Sequence, residues 1–80
     1  MKQVKVISAE WCQNCGPFKA SLDRAGIPYE SLDADDEKNM PFIVGHHVRS
    51  LPTTLIFEDS VLIGQVVGND LKKVKEILGA

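Results

Sequence analysis

The chain has 80 residues, 44% of them apolar and 25% charged, enough for one domain over residues 1–80 and too few for two. A net charge of -2 and a pI near 5.5 exclude the basic stripe that a phosphate backbone requires, so nucleic acid is not an expected partner. The N-terminal stretch has two lysines but only a two-residue apolar run before Ser8, unlike a signal peptide, and no apolar run is long enough to span a membrane. A cytoplasmic location is therefore expected, without a membrane partner, and cysteines in that compartment point to catalysis or metal rather than structural cross-links.

In chain order, residues 2–8 carry Val4, Val6 and Ile7 and read as a mostly buried first strand. From Gln13 the period becomes helical, with Phe18, Leu22 and Ala25 on one face and Lys19, Asp23 and Arg24 turned to water. Gly26 supplies a helix stop, and a second strand is expected over residues 27–32. The acidic run over residues 33–38 suits the start of a short helix, because carboxylates are favoured at the positive end of a helix dipole. Residues 40–44 extend that helix or pack beneath it, and Gly45 ends it. Thr53-Thr54-Leu55-Ile56-Phe57, then Glu58-Asp59-Ser60, then residues 61–67 read as two β-branched runs joined by a polar turn, an antiparallel hairpin. Asn69 or Asp70 caps a last helix whose inner stripe is Leu71, Val74, Ile77 and Leu78 and whose wet face is Lys72, Lys73 and Lys75.

The string is β-α-β-α-β-β-α. Its first two strands are separated by a helix and are expected to be parallel, with a right-handed crossover. The expected architecture is α/β: a four-stranded mixed sheet flanked by three helices on both faces.

Trp11-Cys12-Gln13-Asn14-Cys15 falls where the first strand hands over to the first helix. There the peptide N–H groups and the helix dipole favour a thiolate over a thiol at Cys12, which reads as the nucleophile. Cys15, one turn further on and more shielded, resolves the mixed disulfide that Cys12 forms. The redox centre is then the Cys12–Cys15 pair itself, without a cofactor, and this C-x-x-C in a β-α-β setting is a specific short signal. The competing reading is a metal site of two thiolates completed by His46 and His47. Adjacent histidines on an extended segment would point in opposite directions, which weakens it, and both are expected to be solvent-facing or helix-end residues.

These features together resemble the thioredoxin/glutaredoxin superfamily over nearly the whole chain. Ala9-Glu10-Trp11-Cys12 is similar to the approach to a thioredoxin's redox pair, and residues 48–57, with Leu51-Pro52, resemble the segment that holds its cis-proline. The resemblance implies a thioredoxin-like fold, a cis Pro52 facing the disulfide, and a Leu51 backbone that pairs a substrate strand. Trp11 then contributes an apolar docking surface for partner proteins. In length, and at Gly26-Ile27-Pro28-Tyr29-Glu30, the chain is similar instead to small glutaredoxins and to the glutaredoxin-like redoxins that reduce ribonucleotide reductase.

Three departures qualify the resemblance. The buried aspartate of thioredoxins and its nearby lysine are replaced by Val6 and Ser31, so the proton path to Cys15 lacks its usual carboxylate. Gln13-Asn14 separates the cysteines, and Pro17, lacking an N–H, is expected to distort the helix start. The basic residue that glutaredoxins place before the pair is absent, and Glu10 would repel glutathione's carboxylates, although Gly68-Asn69-Asp70 offers a helix start for its amine. The expected function is reduction of protein disulfides, ribonucleotide reductase among the candidate substrates, by a monomer recharged by a thioredoxin-reductase-type flavoenzyme in preference to glutathione. The alternatives are a glutathione-dependent glutaredoxin and a non-catalytic metal-binding or docking module on the same fold.

Overall fold

The sheet is assembled about β1 (Lys2–Ser8), which pairs in parallel with β2 (Glu30–Asp33) and antiparallel with β3 (Thr53–Glu58). β3 in turn pairs antiparallel with β4 (Val61–Val67), giving the order β2-β1-β3-β4. The helices are α1 (Cys15–Arg24), α2 (Met40–Gly45) and α3 (Leu71–Leu78). This is a computed structural model describing residues 1–79; Ala80, the last residue of the expected domain, lies outside the described residues. The element order is the expected one, with a 3-10 turn, Glu37–Asn39, added ahead of α2.

Alternation along β1 and β3 builds two cores, one on each face. Val4, Val6 and Ile56 pack with Phe18 and Leu22 of α1 and Val74 of α3, while Ile7 and Leu55 pack with Ile43 of α2. Strands buried on both faces read as nearly continuous apolar runs, as the sequences of β1 and β3 do.

α1 departs from its expected bounds at both ends. It begins at Cys15, and its buried stripe is Cys15, Phe18 and Leu22; Ala25, expected on that stripe, is instead the exposed C-cap. Termination is by a Schellman arrangement, in which Gly26 N–H donates to the Asp23 carbonyl at 3.1 Å and Ile27 N–H to the Leu22 carbonyl at 3.0 Å. Gly26 takes φ 71°, a left-handed conformation that glycine adopts without penalty.

β2 consequently starts later than expected. The Ile27 amide is committed to the helix end and Pro28 has no N–H, so pairing with β1 begins only at Glu30, opposite Lys5. The Lys5 ammonium lies 3.1 Å from the Glu30 carboxylate.

The acidic run does not open a helix as one unit. Asp33 ends β2 and accepts from the Asp35 amide at 2.9 Å, while Asp36 accepts from the Lys38 amide at 3.0 Å and caps the 3-10 turn. Local bonds from Asp side chains to following amides compete with continuous helix, and here they divide the run. α2 then starts at Met40 and ends at Gly45, with His46 as C-cap.

The hairpin turn is two residues, Asp59 and Ser60, both at positive φ, 50° and 72°. Glu58, expected in the turn, ends β3 instead. Asp70 caps α3 by accepting from the Lys73 amide at 3.2 Å.

Candidate active site

Four chain segments converge at one end of the sheet. Ser8 ends β1, Asp33 ends β2 beside it, Thr53 begins β3 opposite Ile7, and Val67 ends β4 opposite Thr53. The register therefore brings together residues 9–14, 34–36, 50–52 and 68–70, drawn from loops far apart in sequence. Ends of parallel strands that hand over to helices are the usual place for chemistry in such sheets.

Cys12 and Cys15 are joined in a disulfide. The Cys12 amide donates to the Ala9 carbonyl at 3.1 Å, a turn that lifts the chain from β1 into α1. Cys12 is partly exposed, whereas Cys15, the first residue of α1, is 2% exposed. The pair is thus asymmetric, Cys12 being the more exposed residue and Cys15 the buried one. Asn14 makes no side-chain cap and the first turn of α1 holds no acidic residue, so no side chain of the helix itself caps the positive end of the dipole beneath the disulfide.

Trp11 is 68% exposed. Its indole N–H donates to the Asp35 carboxylate at 3.0 Å, which ties the residue before Cys12 to the loop after β2. Nothing in the sequence singles out Asp35. The only sequence signal for it is the acidic run itself, which reads equally well as a solvated surface.

The Leu51–Pro52 peptide is cis, and Pro52 is buried. Its carbonyl accepts from the Gly68 amide at 2.7 Å, so Gly68, at φ 83°, is fastened to the proline turn. Leu51 is partly exposed. The Asp70 side chain, by capping α3, is committed within the fold.

The remaining expectations are settled by position. Val6 is wholly buried and stands in register with Ser31, and the Ser31 hydroxyl lies 3.4 Å from that of Ser8. Pro17 does not distort α1: because the helix begins at Cys15, Pro17 is the third helical residue, whose N–H would have no intrahelical partner in any case. The first helical bond, from Phe18 N–H to the Asn14 carbonyl at 3.2 Å, is intact. His46 and His47 are not on an extended segment but follow α2, where the His46 ring nitrogen Nδ1 lies 2.8 Å from the Phe42 carbonyl. Among the described residues no three His, Cys, Asp or Glu side chains are grouped to hold a metal ion.

Neither a family model nor a curated protein matches the sequence. Solved structures do match the fold. The short form of thioredoxin f from spinach chloroplast superposes with a TM-score of 0.85 at 19% identity, covering 98% of this chain and 73% of that one. Fasciola hepatica thioredoxin gives 0.83 at 18% identity, covering 98% and 78%. Malassezia sympodialis thioredoxin gives 0.78 at 23% identity, covering 98% and 73%. The chain has the thioredoxin-like α/β fold.

Proposed function

We propose that the chain is a dithiol-disulfide oxidoreductase that reduces disulfides in partner proteins through Cys12 and Cys15. The observation that carries this reading is the disulfide at the head of α1, with a reachable Cys12 and a buried Cys15. In the reduced protein the Cys12 thiolate attacks one sulfur of a partner disulfide and the other leaves as a thiolate. Cys15 then attacks the Cys12 sulfur of the mixed disulfide, releasing the second partner sulfur and closing the Cys12–Cys15 bond. Two electrons pass to the partner, whose two sulfurs take up protons from solvent, balancing the two that Cys12 and Cys15 release to it on forming their thiolates. No cofactor enters the exchange.

Trp11 and the Leu51-Pro52 turn flank the pair at the same sheet end and form the docking surface for the partner in this reading. Electrons return from a thioredoxin-reductase-type flavoenzyme. Glutathione fits less well, because Glu10, Asp33, Asp35 and Asp36 crowd this end with carboxylates and the Gly68 amide is bonded to Pro52. A ribonucleotide reductase is a candidate among such disulfide-containing substrates.

Reduction of insulin by dithiothreitol, catalysed by the wild-type chain and by Cys12→Ser and Cys15→Ser variants, tests the reading. Catalysis by the wild type and its loss in Cys12→Ser is the expected result; catalysis surviving in Cys12→Ser overturns it. Comparing turnover with thioredoxin reductase plus NADPH against glutathione plus its own reductase decides the reductant.

A further inference from the structure

One buried polar group remains outside the reaction just described. Thr54 is fully buried, and its hydroxyl has no hydrogen-bond partner. Its neighbours differ: the Thr53 hydroxyl donates to the Ser50 carbonyl, and the Ser8 hydroxyl lies against that of Ser31. An orphaned buried hydroxyl is uncommon because nothing replaces the water it gave up, and such groups call for an explanation.

Its placement supplies one. Thr54 stands in the sheet between Val6 of β1 and Val66 of β4, its register partners on either side. Val6 and Val66 belong to the core that holds Phe18 and Leu22 of α1 and Val74 of α3, so Thr54 shares the face on which α1 and α3 pack. Along that face β3 presents Ile56, Thr54 and then Pro52, while the buried stripe of α1 runs Leu22, Phe18 and then Cys15. The two ladders run in the same direction, toward the sheet end that carries the disulfide. Thr54 thus lies one step nearer Cys15 than Ile56, with apolar side chains to either side.

We propose that Thr54 is a positioning residue for Cys15, its hydroxyl donating a hydrogen bond to the Cys15 sulfur in the reduced protein. This rests on the redox reading above. In the disulfide, the Cys15 sulfur is held by Cys12 and is a weak acceptor, which leaves the hydroxyl without a partner. Reduction frees that sulfur to turn about χ1 and makes it a far better acceptor, above all as the thiolate that attacks the mixed disulfide. The proton of Thr54 stays on its own oxygen throughout. The hydrogen bond favours the reduced form, and the register partners on either side of Thr54, Val6 and Val66, have no side-chain donor to replace it.

The test is the dithiol-disulfide equilibrium of the pair in a glutathione redox buffer, measured for the wild type, Thr54→Val, Thr54→Ala and Thr54→Ser. Thr54→Val keeps the volume and removes the donor; it is expected to shift the equilibrium toward the disulfide by about tenfold, or about 30 mV for a two-electron couple. Thr54→Ala, which lacks the hydroxyl and also leaves a gap, is expected to shift it similarly. Thr54→Ser keeps the hydroxyl and is expected to stay within about twofold of the wild type, even though it leaves a smaller gap in the core. An unshifted Thr54→Val, or a Thr54→Ser shifted as far as Thr54→Val, overturns the proposal. Insulin reduction by the wild type is run alongside: its failure overturns the redox reading and the proposal with it, while normal insulin reduction with an unshifted Thr54→Val overturns the role of Thr54 alone.

Discussion

The indole N–H of Trp11 donates to the Asp35 carboxylate at 3.0 Å, so the residue preceding Cys12 is held by a loop that lies 24 residues further along the chain. Both side chains are exposed, and the bond holds an orientation more than it stabilises the fold. Asp35→Ala is expected to lower stability by less than about 1 kcal/mol. Its larger effect is on Trp11, which becomes free to move. Because the chain has one tryptophan, acrylamide quenching of its fluorescence reads this directly, and quenching is expected to rise in Asp35→Ala. In the insulin assay the KM is expected to rise with kcat little changed, since the substitution alters docking and leaves both sulfurs in place.

The asymmetry of the cysteines gives a second expectation. With Cys12 reachable and Cys15 buried, Cys15→Ser leaves the attacking sulfur and removes the one that resolves the mixed disulfide. Cys15→Ser incubated with oxidised insulin is expected to accumulate a covalent adduct at Cys12, seen by non-reducing electrophoresis and mass spectrometry and released by dithiothreitol. Cys12→Ser is expected to form none. Adducts on Cys15 in that second variant would invert the assignment of nucleophile and resolver.

Packing of α3 on the sheet depends on Gly64. A Cβ added there would stand 2.7 Å from Ile77 Cδ1 and 2.9 Å from Ile77 Cγ2. The Cδ1 atom can swing away, but Cγ2 is attached to Cβ and moves only if χ1 of a stiff β-branched side chain changes. Gly64→Ala is therefore expected to destabilise the protein by about 1–3 kcal/mol, measured by urea unfolding. Ile77→Ala in the same chain relieves the clash, so the double variant is expected to lose less than the sum of the two single losses. Strict additivity would mean that the two residues do not meet.

Much of this fold was legible because its central strands are buried on both faces and its helices carry clear stripes. The apolar pattern gives β1 to the residue, and the inner face of α3 follows from Leu71, Val74, Ile77 and Leu78. The misplacements at α1, β2 and the acidic run share one cause, local hydrogen bonding that composition does not reveal. The Schellman end of α1 delayed β2 and put Ala25 outside the helix, and the Asp33 and Asp36 turns divided the acidic run. At the candidate site, C-x-x-C and Leu51-Pro52 are contiguous motifs and could be read directly. Asp35 and Thr54 could not, because their positions beside Trp11 and Val6 exist only once the strands are in register.

Tyr29 offers a check on the packing next to β2 that does not involve the cysteines. It packs against the core that holds Phe18 and Leu22, and burial first, then the Asp23 carboxylate, holds its phenol above the ordinary value of 10.0. As the one tyrosine in the chain, its ionisation can be followed by phenolate absorbance, and the midpoint is expected above that value. The consequence for stability has a definite sign. Well below pH 10.0 the phenol is protonated in folded and unfolded chains alike and its contribution is fully present. As pH rises past that point the unfolded chain releases its proton first, binds fewer protons than the folded one, and is favoured, so stability falls through the folded pKa. Tyr29→Phe removes this term while keeping the ring, and the alkaline decline in urea midpoint is expected to be shallower in that variant. Equal declines in the two proteins would show that the phenol titrates alike in folded and unfolded chains.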